Sequence, residues 1–241
     1  TRRSSDLLKN LKPDFFVTFA FGQILSQEVL DIPAFSTINL HASLLPEYRG
    51  ANPIARAISD GKNKTGITTM LTSLGVDEGD ILLREEIDID ENMTTSELSE
   101  IIAQKSPKLL YKTITEMFNN KITPQKQNHN EATFAAKFSK EDMFLDFQKS
   151  AKVLHNLTRA LDGNAKIQVN NKIIKIEFGT IYYKNSNLNL SIIEIKENKI
   201  LNILEIDENI YKEESEIYLN KESGYIIYYN RYFYVSYGII N

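Results

Sequence analysis

The chain has 241 residues, 42% apolar and 25% charged, room for one large domain or two modest ones; wholesale disorder, collagen-like repeats and coiled coils are excluded. The formal charge of −4 exerts no global pull on nucleic acid, and zero cysteines exclude a disulfide framework, a thiolate zinc site and a cysteine nucleophile. No apolar run reaches the ~18 residues that span a bilayer, and no leader pattern opens the sequence. A cytoplasmic, reducing compartment is therefore expected, in which the Asn-x-Thr matches at Asn63, Asn92 and Asn156 are chance. The chain starts at Thr1 and runs straight into charged residues, so its front is expected to be incomplete.

In chain order, residues 1–118 alternate short apolar runs with helical patterns, the texture of parallel α/β units. Residues 14–20 form a continuous apolar run of strand length, expected to be buried on both faces. Residues 26–30 suit a short helix, and 35–40 suit a second buried strand. A helix is expected from near Gly50, with Ile54, Ala57 and Ile58 on one side, ending before Gly61. Residues 66–74 and 80–87 read as two more strands, joined by the turn-rich Gly75-Val-Asp-Glu-Gly79.

Thr94 and Glu97 make a capping-box match ahead of a long helix in which Leu98, Ile101, Ile102, Leu109, Ile114, Met117 and Phe118 keep helical spacing. Pro107 is expected to kink or divide that helix. Residues 119–138 are polar, with little periodicity, and read as a linker. A second domain is expected over 139–241. It opens with a helix carrying Ala151, Leu154, Leu157 and Leu161, and continues in short Ile-, Val- and Tyr-rich runs that suit a small antiparallel barrel or sandwich. Its charge is split. Residues 149–184 carry seven basic side chains against two acidic ones, and residues 205–222 the reverse. Either one segment faces phosphates, or both are ordinary solvated faces.

Three histidines are present. His129 lies in the polar linker and reads as solvated; His155 reads as a surface or helix-packing residue. His41 ends a strand, two residues after Asn39, so alternation puts both side chains on one face of the sheet. Open parallel sheets bind ligands outside the carboxyl ends of their strands. A lone histidine there also fits a satisfied core residue. A Pro- and Gly-bearing loop, Ser43-Leu-Leu-Pro46-Glu-Tyr-Arg-Gly50, follows directly. Asp77 sits in the turn between two strands, where the plain alternative is turn chemistry.

Asn39-x-His41, the Ser43-to-Gly50 loop and Asp77-x-Gly79 together resemble the 10-formyltetrahydrofolate-dependent formyltransferase family. Within it the chain is most similar to the methionyl-tRNA formyltransferases. That similarity rests on Phe134-Ala-Ala-Lys137-x-Ser139-Lys-Glu-Asp142, Leu145-Asp-Phe147, Ala151, Leu154-His-Asn-Leu157 and Arg159-Ala160. The resemblance covers nearly all of residues 8–178. It implies a Rossmann-like parallel-sheet catalytic domain over 1–118, N-terminally incomplete, then the 119–138 linker and a C-terminal OB-like β-barrel over 139–241 that binds tRNA. The family's earlier βα units do not precede Thr1. Its proline-tryptophan-proline-like stretch reads Leu161-Asp-Gly-Asn-Ala165, and its usual ending is not recognisable from Tyr225 onward.

The resemblance implies formyl transfer from 10-formyltetrahydrofolate to methionyl-initiator tRNA, with no metal and as a monomer. Asn39, His41 and Asp77 are the implied catalytic residues. Phe21, Ile24 and Leu25 are the implied walls of the folate site, with core packing as the plain alternative. Ser43, Leu44, Leu45 and Pro46 are implied to contact folate through backbone groups. Arg49 is implied at the rim of the active site, where a surface ion pair is the alternative, and Lys149, Lys152 and Arg159 would meet the tRNA. The competing readings are a sugar N-formyltransferase, which shares the Asn/His/Asp core, and a non-catalytic RNA-binding remnant.

Overall fold

A computed structural model of the chain describes residues 2–146 and 149–169. Beyond them it describes the strand segments 172–176, 178–183, 191–196, 199–205, 217–220, 224–229 and 232–237. The chain divides into two units, one of Thr1–Ala57 with Lys62–Lys137, the other of Ile58–Gly61 with Phe138–Asn241.

In the first unit, α1 (Arg2–Asn10) leads to β1 (Phe15–Phe19), α2 (Gln27–Leu30) and β2 (Ser36–His41). Then come α3 (Pro53–Ser59), whose last two residues are counted with the second unit, β3 (Lys64–Leu71), β4 (Ile81–Asp88) and α4 (Thr95–Phe118). Pro53 opens α3, where its fixed φ suits a first helical turn and its missing N–H costs nothing. The strands lie in the order β1-β2-β3-β4. Only β1 and β2 run parallel; β2/β3 and β3/β4 are antiparallel. The sheet is therefore mixed, not the parallel sheet expected from the alternating texture. Residues 72–80 between β3 and β4 are too few for the crossover that a parallel pair needs, so the chain must turn back on itself.

The core lies where α4 packs on β3 and β4, with β2 beside β3. Ile38 and Ile67 are fully buried, as are Leu98 and Ile102 on α4. Thr68 and Thr69 on β3 are also sealed from solvent, and both are satisfied. Thr68 Oγ1 donates to the Ser43 carbonyl at 2.6 Å, and Thr69 Oγ1 meets Thr113 Oγ1 of α4 at 2.8 Å. The capping box at Thr94 forms as expected, with Thr94 Oγ1 accepting from the Glu97 amide and Glu97 Oε2 accepting from the Thr94 amide. Pro107 does not divide the helix: α4 runs unbroken through it. Buried residues on both sides, Leu98 and Ile102 before it and Leu109 and Thr113 after it, anchor the two halves to one sheet face.

Two further expectations are corrected. β1 is not buried on both faces, since Val17 is 43% and Phe19 53% exposed. Among the described strands it pairs with β2 alone. Residues 119–138, read as a linker, are bonded to the first unit along most of their length. Gln125 exchanges backbone bonds with Ile81, and Thr133 and Ala135 bond the backbone of Arg49. These are main-chain bonds, and side-chain periodicity carries no trace of them.

In the second unit, Ser150 caps α5 (Ala151–Leu161), its Oγ accepting from the Val153 amide. Leu154, Ala160 and Leu161 are buried, and so is His155, whose place is helix packing and not the surface. The strands are β5 (Ala165–Val169), β6 (Lys172–Ile176), β7 (Phe178–Tyr183), β8 (Ser191–Lys196), β9 (Lys199–Glu205), β10 (Ile217–Asn220), β11 (Gly224–Tyr229) and β12 (Tyr232–Tyr237). All their described pairings are antiparallel: hairpins β5/β6 and β8/β9, and a sheet in the order β10-β11-β12-β7. Phe147, Lys184 and most of the acidic 205–222 stretch lie outside the described residues. Among the described residues no helix is long and apolar enough to cross a membrane.

The exposure contrast is testable by urea unfolding. Leu45→Ala, at a fully buried position packed with Met70 and Ile81, should cost about 2–5 kcal/mol. Val17→Ser on the more exposed β1 should stay within about 0.5 kcal/mol of the parent; equal losses at the two positions would contradict the burial assignment.

Candidate active site

The parallel register sets Thr18 of β1 opposite Asn39 of β2. Thr18 Oγ1 donates to Asn39 Oδ1 at 2.8 Å. A carboxamide whose oxygen is held this way presents its NH2 group as the free end. Two residues on, His41 is only 6% exposed. Its Nε2 lies 2.8 Å from the Tyr48 carbonyl oxygen, and since a carbonyl can only accept, Nε2 carries the proton of that bond. Its Nδ1 faces Asp77 Oδ2 at 3.5 Å. The Asp77 side chain is the more open of the two, at 15% against 7%.

Asp77 is placed by its backbone. It adopts φ +52°, a left-handed conformation that side chains without a local hydrogen bond rarely take. From there Oδ2 accepts the Gly50 N–H at 2.7 Å. Gly50 itself has φ +112°, and a Cβ on it would press on the Ala135 carbonyl oxygen at 3.1 Å, so the position calls for glycine. At Gly79, the other end of the Asp77 turn, a Cβ would collide with the Leu71 carbonyl oxygen.

The structure thus brings Asn39, His41 and Asp77 to one end of the sheet and separates other candidates from it. Arg49 is not a rim residue and forms no surface ion pair: it is 2% exposed, with Nε and Nη2 donating to Gln127 Oε1 at 3.0 and 2.7 Å. Ser43 and Leu45 are fully buried. Their loop spends its backbone internally. The Ser43 carbonyl accepts from Thr68, the Leu45 amide donates to Thr68 Oγ1, and the Leu44 and Pro46 carbonyls accept from the Glu47 and Thr133 amides. The Leu45–Pro46 peptide is cis. Phe21 and Ile24 are not core residues, being 53% and 72% exposed, and they follow directly on the carboxyl end of β1; Leu25 is half-buried. In the second unit Lys149 and Lys152 are exposed. Arg159 is 6% exposed, and its guanidinium is held by Asn156 Oδ1 at 3.0 and 3.2 Å, which takes it off the surface where a phosphate would be met.

Two features escaped the sequence. Gln127 is buried and fully bonded, yet it sits in a polar run with no periodicity to mark it. A cavity of ≈ 660 Å³ lined by Phe35, Thr37, Ser73, Glu78 and His129, among others, includes none of Asn39, His41 and Asp77.

Comparison with known proteins gives one consistent result. Residues 2–114 match the formyl transferase family. Over 155 residues the chain is 50% identical to the methionyl-tRNA formyltransferase of Clostridium perfringens (strain 13 / Type A), covering 64% of this chain and 50% of that protein. Over 181 residues it is 44% identical to the methionyl-tRNA formyltransferase of Clostridium novyi (strain NT), covering 74% of this chain and 59% of that one. The chain spans about half the length of these curated relatives. Among solved structures it shares its fold with an N-formyltransferase from Helicobacter canadensis, in complex with folinic acid and dTDP-3-aminofucose. The TM-score is 0.66 at 18% identity, over 91% of this chain and 71% of that one.

Proposed function

Because residues 2–114 match the formyl transferase family, we propose that the protein transfers a formyl group from 10-formyltetrahydrofolate to the α-amino group of methionyl-initiator tRNA in the cytoplasm. The observation that carries the reading is the convergence of an amide, an imidazole and a carboxylate at Asn39, His41 and Asp77. The half-identity to methionyl-tRNA formyltransferases supports this acceptor.

The amine nitrogen attacks the formyl carbon, a tetrahedral oxyanion forms, and the bond from that carbon to the folate nitrogen breaks. The Asn39 NH2 group donates to the oxyanion, a contact whose loss costs roughly 2.7–4 kcal/mol in other enzymes. With His41 Nε2 engaged by Tyr48, Nδ1 and the more open Asp77 carboxylate form the route by which the proton leaves the attacking amine and reaches the departing nitrogen. An α-amino group with an ordinary pKa of about 7.7–8.0 is already partly neutral at pH 7, so no strong base is needed.

Folate would rest against exposed Phe21 and Ile24, with half-buried Leu25 beside them, at the carboxyl end of β1 next to Asn39. From the Ser43-to-Pro46 loop the contact falls to Leu44 and Pro46, since Ser43 and Leu45 support the loop from the core side. The second unit, read as an OB-like barrel, would meet the tRNA backbone through Lys149 and Lys152. A sugar N-formyltransferase is the second reading, favoured by the fold shared with the Helicobacter canadensis protein. Offering the purified protein charged initiator tRNA against a nucleotide-linked amino sugar separates the two.

Asn39→Ala, His41→Ala and Asp77→Ala should each lower formyl transfer by about 100-fold or more with circular dichroism unchanged. Near-parental turnover in all three would overturn the site. Affinity for tRNA should fall steeply between about 50 and 200 mM salt; a flat salt response would remove the second unit's lysines from the interface.

A further inference from the structure

Gln127 has its whole side chain committed. Oε1 accepts from Arg49 Nε and Nη2, while Nε2 donates to the carbonyl oxygens of Asp77 at 2.8 Å and Gly79 at 2.7 Å. One amide therefore fastens two turns that come from distant parts of the chain. The first, Tyr48 to Gly50, supplies the carbonyl on His41 Nε2 and the N–H on Asp77 Oδ2. The second, Asp77 to Gly79, supplies the carboxylate that faces His41 Nδ1. Tyr48 at φ +58°, Gly50 at +112° and Asp77 at +52° hold left-handed conformations, and for Tyr48 and Asp77 these persist only where the surroundings over-determine them.

We propose that Gln127 is a positioning residue that sets the His41–Asp77 geometry by bracing both turns at once. Its consequence for catalysis rests on the formyl-transfer reading; its consequence for geometry does not. The choice of residue supports the role. Arg49 is a buried cation whose partners are the neutral Gln127 and, at 3.3 Å, His129 Nδ1. A glutamate at 127 would serve Arg49 better, because a charge-assisted pair is the stronger bond. It would also turn a carboxylate toward the Asp77 and Gly79 carbonyls, which have no proton to give. An amide, unlike a carboxylate, donates on one side and accepts on the other. The platform beneath it is firm, since Gln125 is bonded to Ile81 before it, and Thr133 and Ala135 to Arg49 after it.

The test uses Gln127→Leu and Gln127→Glu in the full protein, read by amide hydrogen exchange and by steady-state formyl transfer. In both variants the Gly50 amide, which reports its bond to Asp77, should exchange at least about tenfold faster, while Ile102 and Leu109 on α4 keep parental protection. Misplacing the pair should lower kcat roughly 10–100-fold with KM for the folate changed less than about threefold. Gln127→Glu keeps its partner in Arg49, so a loss there assigns the effect to the bonds with Asp77 and Gly79. Unchanged Gly50 protection in both variants, or loss at Gly50 and α4 together, overturns the proposal. Faster exchange at Gly50 in both variants of a parent that itself transfers no formyl group would sustain the bracing role and remove the functional reading instead.

Discussion

The Asp77 carboxylate accepts the Gly50 amide proton across 27 residues of chain while facing the His41 ring, and much of the first unit serves that contact. For the carboxylate to arrive there, the β3–β4 turn must hold Asp77 at positive φ, and the loop after β2 must offer a glycine amide at φ +112°. Neither turn is a low-energy conformation for an ordinary residue by itself. Each is stabilised by what it meets: the Tyr48 carbonyl on His41, the Gly50 amide on Asp77, and the Gln127 side chain on the back of both. Breaking one of these contacts loosens the partners of the others, and for that reason the site behaves as one unit.

Packing and polarity are arranged to keep that unit in place. The loop from Ser43 to Tyr48 is a support more than a ligand surface, because its backbone groups are consumed by Thr68, Glu47 and Thr133. Buried Arg49 fits the same plan. A desolvated guanidinium is expensive unless its protons are accepted, and Gln127 accepts two of them from the segment that runs back alongside the site. The apolar surface left open, at Val17, Phe19, Phe21 and Ile24, belongs to β1 and the loop after it. That part of the sheet also presents the free NH2 group of Asn39.

Much of the fold was legible from local signals. The capping box at Thr94 and Glu97 and the strand runs around residues 36–41 and 81–88 express their conformations through near neighbours in the chain. The pairing of Asn39 with His41 followed from the two-residue period of a strand. The unbroken passage of α4 through Pro107 was not legible, because it depends on buried contacts either side of the proline. Nor was the exposure of β1, since a run of apolar residues does not say how deeply its strand is buried.

By itself the sequence determined the residue types that the proposed formyl transfer would use, the strand that carries two of them and the turn that carries the third. Tertiary structure alone decided that Arg49 and Arg159 are buried and not at the surface, that the sheet is mixed, and that Gln127 joins the two turns. The physical reason is range. Propensity, capping and alternation act over a few residues, whereas burial and the hydrogen bonds of a side chain like Gln127, 78 residues from Arg49, exist only once distant segments meet.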